Sequence, residues 1–271
     1  MNIRLISLTC LGVLAIFGVS LAEAAERWDQ FEISHEIYQY QYKEPAVNVK
    51  TDGVMYGVVG AYAHHDPSHW MLKAAGHAAW GSLDYQSAAS GSIDEVDDYT
   101  YEGGAAVGYD FQLNENQRVT PFFGIGYRYL NDDTSGRRSS LGARGYERES
   151  NYLYSPLGAE YSTELKEGWR LSVSAEYDIL WAGKQESHLS DAIANLGDIS
   201  NDQDSGYGVR GSVKLQMKTD RVDLAIEPFI RWWSIEDSQA TNVIFSGVIV
   251  GYGYEPQNET LEIGGQISLI F

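Results

Sequence analysis

Four groups of side chains in this 271-residue sequence have types and spacings that could do chemistry. His188 and Asp191, in Ser187-His188-Leu189-Ser190-Asp191, together with the pair Asp97 and Asp98, offer an imidazole and carboxylates able to activate a water for peptide hydrolysis. Arg137, Arg138, Arg144 and Arg148 crowd a short stretch, and planar guanidinium groups suit bidentate contact with phosphate. Asn201, Asp202, Asp204 and Gly206 put oxygen ligands of the kind calcium takes in one segment, but that spacing covers only part of a calcium loop. His64, His65 and His69 flank Asp66-Pro67, which is as much a turn signal as a metal cluster. Each group has a plainer alternative: a polar rim, Arg paired with Asp132, Asp133, Glu147 and Glu149, a solvated acidic loop, or a turn.

What must position these residues is a set of strands. In 169–181, Trp169, Leu171, Val173, Ala175, Tyr177, Ile179 and Trp181 alternate with Arg170, Ser172, Ser174, Glu176 and Asp178. A period of two over that length is a strand between two unlike environments. At about 3.3 Å per residue and a tilt near 40°, the two tryptophans stand roughly 30 Å apart along the membrane normal, the thickness of a bilayer core. Trp70 and Trp80 bracket Leu72, Ala74, Gly76 and Ala78 in the same way.

Ten such strands are expected, near 28–43, 53–65, 69–86, 97–113, 117–132, 145–164, 168–187, 204–219, 221–238 and 257–271. Short turns alternate with longer connections near 44–52, 87–96, 133–144, 188–203 and 239–256. The fold class expected is all-β, a transmembrane antiparallel up-and-down barrel with short periplasmic turns, long extracellular loops and both termini periplasmic. Its other face supplies a narrow lumen lined by Glu102, Asp110, Arg128, Arg170, Glu176, Asp178, Arg210, Lys214, Glu227 and Arg231, with both signs paired across the interior. Gly124 and Gly126 are read as making room for long arginines. Tyr38, Tyr40, Tyr152 and Tyr154 could face either way, and the apolar stretch 239–250 could lie over the mouth or extend a strand.

Residues 1–25 read as a secretory signal peptide, with Arg4, an apolar run from Leu11 to Leu21 and small residues at Ala22, Ala24 and Ala25. The barrel domain is then 26–271. The single cysteine, Cys10, falls in the leader, so a mature chain offers no thiol chemistry. The formal net charge of −19 persists without the leader, which removes only Arg4 and Glu23, and it argues against nucleic acid as a partner.

The closing stretch alternates Leu261, Ile263, Ile267, Leu269 and Phe271 with Glu262, Gly264, Gln266 and Ser268. It resembles the last strand of bacterial outer-membrane β-barrels, and the resemblance implies that Phe271 is read by the barrel-assembly machinery. A ten-stranded size also resembles the omptins, outer-membrane proteases with an Asp pair facing an Asp-His pair. Here the spacing departs from theirs: Asp97 and Asp98 are adjacent, and His188 precedes Asp191 by three positions. The expected function is that of an integral outer-membrane barrel with a structural or surface-interaction role, whose loops meet lipopolysaccharide or another surface ligand. A narrow, porin-like channel for a small solute or cation is the alternative. An omptin-like protease using His188, Asp191, Asp97 and Asp98 is the third. No cofactor is implied.

Overall fold

Long strands with one apolar face cannot bury that face within a flat sheet, and in lipid they cannot leave an edge unpaired. The structure, a computed structural model that describes residues 29–271, shows how this sequence meets both demands. The expected signal peptide lies outside the described residues. The strands are β1 (Asp29–Glu44), β2 (Val49–His65), β3 (Trp70–Ser87), β4 (Gly91–Tyr109) and β5 (Phe111–Asn114). They continue with β6 (Gln117–Asp133), β7 (Glu147–Glu164), β8 (Trp169–Ser187), β9 (Ile199–Gln203) and β10 (Gly206–Met217). The last are β11 (Asp223–Ile235), β12 (Thr241–Phe245), β13 (Val248–Gly253) and β14 (Asn258–Ile270).

Ten of these form the wall. Sequential neighbours pair antiparallel from β1 round to β11, then β14 pairs with both β11 and β1 and closes the ring. β5 continues β4 past Asp110, and β8 pairs directly with β10, while β9 lies on an extension of β8. The final residue joins the closure, since Phe31 N–H donates to the Phe271 carbonyl at 3.3 Å and Phe271 N–H donates to Phe31 at 2.8 Å.

The pleat sorts side chains as the sequence pattern requires. Trp70, Leu72, Trp80, Tyr177, Trp181, Ile263 and Ile267 are exposed on the outer surface, where hydrocarbon would meet them. Tyr38, Tyr40, Tyr152 and Tyr154, ambiguous by pattern, are all buried and fill the lumen. The glycine reading is corrected in one respect. A Cβ on Gly126 would come within 2.2 Å of the Tyr154 ring, so the space belongs to an aromatic rather than to an arginine.

Two connections expected to be long are short. β1 runs on to Glu44 and β2 begins at Val49, with a single turn of 3-10 helix, Pro45–Val47, between them; only 88–90 separate β3 from β4. The wall there stands well beyond the girdle tryptophans, because polar strand residues remain paired above it. Stretch 239–250 forms the β12–β13 hairpin, turning at Ser246 and Gly247, both with positive φ as a two-residue turn of type I′ needs.

Replacing Gly126 by Leu forces Tyr154 from its site and is expected to cost about 1–3 kcal/mol. Heat-modifiable gel migration checks it: the folded band should convert at lower temperature than the parent's, and an unchanged conversion temperature would refute the packing assignment.

Candidate functional site

The lumen's chemistry begins with strand register. His77 of β3 faces Glu102 of β4, which faces Arg128 of β6; on the far side Glu176 of β8 faces Arg210 of β10, which faces Arg231 of β11 and then Glu262 of β14. Inward-pointing charges of both signs are thus cross-strand neighbours around the ring. Long side chains then cross the interior. Arg128 reaches Glu262 on the opposite wall at 2.8 Å. Arg210 donates to Asp178 at 2.5 Å, lies 3.2 Å from Glu176 and also bonds Glu102. Arg231 bridges Glu36 at 2.9 Å and Glu262 at 3.1 Å, while His77 Nδ1 meets Glu36 at 2.9 Å.

Aromatic rings complete this belt. The Trp233 indole is buried with the guanidinium groups of Arg128 and Arg210 each 5.4 Å from its centre, and Arg231 sits 4.0 Å over Phe229. Planar cations on ring faces are held by the ring quadrupole as well as by packing. Nearer the short-turn end, Lys214 joins Glu32 at 2.8 Å to Glu227 at 3.0 Å, Arg170 pairs with Glu164 at 2.6 Å, and Asp110 accepts from Thr120 and meets His65 at 2.7 Å and Arg118 at 3.4 Å. All ten lumen residues singled out in the sequence therefore have ionic partners. Glu36, Glu262 and Trp233 matter as much, and their inward parity was the only signal for them.

The belt divides the interior. On the short-turn side lies a polar vestibule of about 130 Å³, lined among others by Lys73, Arg118, Glu160, Arg170 and Lys214. On the long-loop side lies a cavity of about 30 Å³ beside Asp98, Asp132 and Arg148. Between them the arginines of the belt cross the middle of the lumen to their carboxylates.

The rim residues are placed differently from their sequence grouping. Asp97 is exposed and Asp98 buried, because neighbours in a strand point to opposite faces. His188 meets neither: Nε2 is 2.9 Å from Glu149 and Nδ1 is 3.6 Å from Asp198. Asp191 is exposed and accepts from the Glu147 N–H at 3.3 Å. The four residues of the protease reading do not assemble into one site. The arginines also separate. Arg137 donates to the Asp94 and Glu95 carbonyls, Arg138 to Gly142 and Arg144 to Ala192, whereas Arg148 turns inward to Glu44 at 2.8 Å and Glu255 at 2.5 Å. Arg148 is thereby withdrawn from any surface phosphate. Asp202 and Asp204 are both exposed, and among the described residues no group of three His, Cys, Asp or Glu converges as metal ligands. His64 pairs with Asp29 at 2.7 Å and His65 with Asp110, so these two imidazoles have separate carboxylates, while His69 lies against the Tyr109 ring.

The hydrogen bond to Glu149 raises the His188 pKa above its ordinary value, with Glu147 and Asp198 adding to it against partial burial. A raised pKa stabilises the loop most below about pH 6.5, and that contribution fades as pH climbs through the higher folded value. Ring-proton NMR of His188 should show titration above the ordinary histidine range, falling back in Glu149→Gln; equal values in both proteins would refute the pair. Replacing Arg210 by Met leaves Glu102, Glu176 and Asp178 without their shared cation and is expected to destabilise the barrel by about 3–5 kcal/mol. Urea unfolding from lipid vesicles measures it, and parental stability would show that the belt contributes little.

The family model described as the Autotransporter beta-domain matches residues 40–229, from within β1 to within β11. No curated protein matches the sequence. Among solved structures, the outer membrane protease OmpT from Escherichia coli is similar at 11% identity, covering 93% of this chain and 99% of that one with a TM-score of 0.61. The translocator domain of the autotransporter NalP from Neisseria meningitidis is 11% identical over 90% of this chain and 89% of that one, with a TM-score of 0.43. Identity so low makes the OmpT likeness one of fold alone. The closed antiparallel ring, its apolar outer face and the family match together make this chain an integral outer-membrane β-barrel that belongs to the Autotransporter beta-domain family.

Proposed function

We propose that the barrel is a closed membrane anchor whose loops at the cell surface recognise another surface molecule. The observation that carries this reading is the β12–β13 hairpin. From Gln239 to Tyr254 the sequence has no charged residue, in a chain of which 21% is charged. Val248, Ile249, Val250 and Tyr252 are 64%, 55%, 59% and 75% exposed. Apolar groups held this far into solvent favour a partner that removes them from water.

The hairpin is also held in place. Gly197 N–H donates to the Ile244 carbonyl at 2.7 Å, Ser246 N–H to Asn195 at 3.0 Å, and Asn201 bonds Gln239 and Thr241. A pre-positioned apolar surface loses less freedom on binding than a floppy one. In this reading the long loops face outward and both termini face the periplasm. On this reading Phe271, whose ring lies 6.4 Å from that of Phe31 at the closing seam, is the residue offered to the assembly machinery.

The channel reading draws on the vestibule of about 130 Å³. The arginine belt stands across its inner end, so the anchor reading is preferred. Both are tested on one preparation. The folded protein should give no conductance in planar bilayers, and should bind immobilised lipopolysaccharide or matrix protein with an affinity that falls at least about tenfold in Val248→Ser/Ile249→Ser/Val250→Ser. Steady conductance, or equal binding by the folded variant, would overturn the proposal.

A further inference from the structure

Asp98 of β4 and Asp132 of β6 are direct cross-strand partners, facing the lumen one step beyond the Trp80–Tyr99 pair. Opposed residues of antiparallel strands have Cβ atoms about 4.5–5.5 Å apart, so the two carboxyl groups are neighbours. Neither is fully satisfied. Asp98 Oδ1 and Asp132 Oδ1 are buried with no hydrogen-bond partner, and Asp98 as a whole is 7% exposed. Both residues line the cavity of about 30 Å³ on the long-loop side of the belt, where Thr51, Thr100 and Ser150 contribute hydroxyls.

The cation that lines this cavity, Arg148, stands opposite Asp132 in register but turns its Nη2 to two other carboxylates. Arg148 holds Glu44 and Glu255, with Tyr42 donating to both carboxylates at 2.8 and 3.1 Å. Four carboxylates and one guanidinium are an excess of acidic groups, which proteins relieve by pairing, by taking up a proton or by metal coordination. The oxygens facing the space are carboxylate, hydroxyl and phenol, a hard donor set without imidazole or thiol. The volume suits a single water-sized guest.

We propose that Asp98 and Asp132 bind one divalent cation of the calcium class in the mouth of the barrel, with the neighbouring hydroxyl oxygens completing its shell. The ion ties β4 to β6 above the membrane, where Asp98 and Asp132 would otherwise repel. Two carboxylates rather than three or four place the affinity in the range of extracellular calcium modules, about 10⁻⁴–10⁻³ M. This site is independent of the β12–β13 surface and of the loop aspartates Asp202 and Asp204.

Terbium luminescence of the folded protein in detergent micelles tests it, because Tyr40 and Tyr42 line the same cavity and can sensitise a bound lanthanide. Terbium emission should appear, calcium should displace it, and the double variant Asp98→Asn/Asp132→Asn should weaken calcium competition at least tenfold. Asp202→Asn/Asp204→Asn should leave the signal unchanged. Asparagine keeps the size of each side chain, and heat-modifiable migration verifies that the variants fold. If the double variant does not fold, the two single variants carry the same requirement separately. Equal calcium competition in the Asp98 and Asp132 variants, loss of emission in the Asp202 and Asp204 variant instead, or no calcium competition would each overturn the proposal. In the last case the pair holds a shared proton in place of a metal.

Discussion

A strand edge cannot be left open in hydrocarbon, because each unpaired backbone donor or acceptor there lacks water to bind. Everything else in this structure follows from closing that edge. The seam made by β14 between β11 and β1 removes it, with pairing running from Glu32 opposite Ile270 to Lys43 opposite Glu259 on one side and from Asp223 opposite Ile270 to Ile235 opposite Asn258 on the other. Once closed, the wall has only two faces, and the pleat sends alternate residues to each. Outer positions such as Leu72, Val173 and Ile267 can be greasy without penalty, whereas inner positions must pack against one another across a narrow space.

At the belt that space is crowded with long side chains yet too polar to be an oil core. Arginine resolves the conflict, since its guanidinium donates to several carboxylates while its flat face stacks on Trp233, Tyr154 or Phe229. Removing charges from water is costly, and the return depends on geometry good enough to satisfy every partner. Here each of Arg128, Arg210 and Arg231 has at least two carboxylates within ion-pair distance, and the belt lies where strands from opposite walls come together. The interior is therefore a charge-matched network that braces the wall, with a vestibule on one side and a small acidic cavity on the other.

Beyond the girdle the constraint changes, because backbone groups can again bind water. Strands β1 to β4 nevertheless stay paired up to two tight turns, while the connections after β8 and β11 extend into β9 and the β12–β13 hairpin and lean on each other through Leu196 and Phe245. The surface is thus uneven. An uncharged hairpin, β12–β13, stands among acidic neighbours such as Asp198, Asp202 and Glu236, and the two offer different chemistry to whatever approaches.

Most of the wall was legible in the sequence. Period-two alternation in 169–181, the paired tryptophans and the polar residues between them define strand number, faces and lumen charges, because burial on one side and lipid on the other leave a mark at every second position. Partners were not legible. Nothing local says that Arg128 crosses the full width to Glu262, that Arg148 turns from the arginine-rich loop into the lumen, or that His188 chooses Glu149 over Asp191 or Asp97. Those pairings join residues 134, 104 and 39 positions apart, for Arg128 with Glu262, Arg148 with Glu44 and His188 with Glu149. Alternation fixes which way a side chain points, but only ring closure and strand stagger fix what stands opposite it, and so the chemistry of the interior was decided by the tertiary structure.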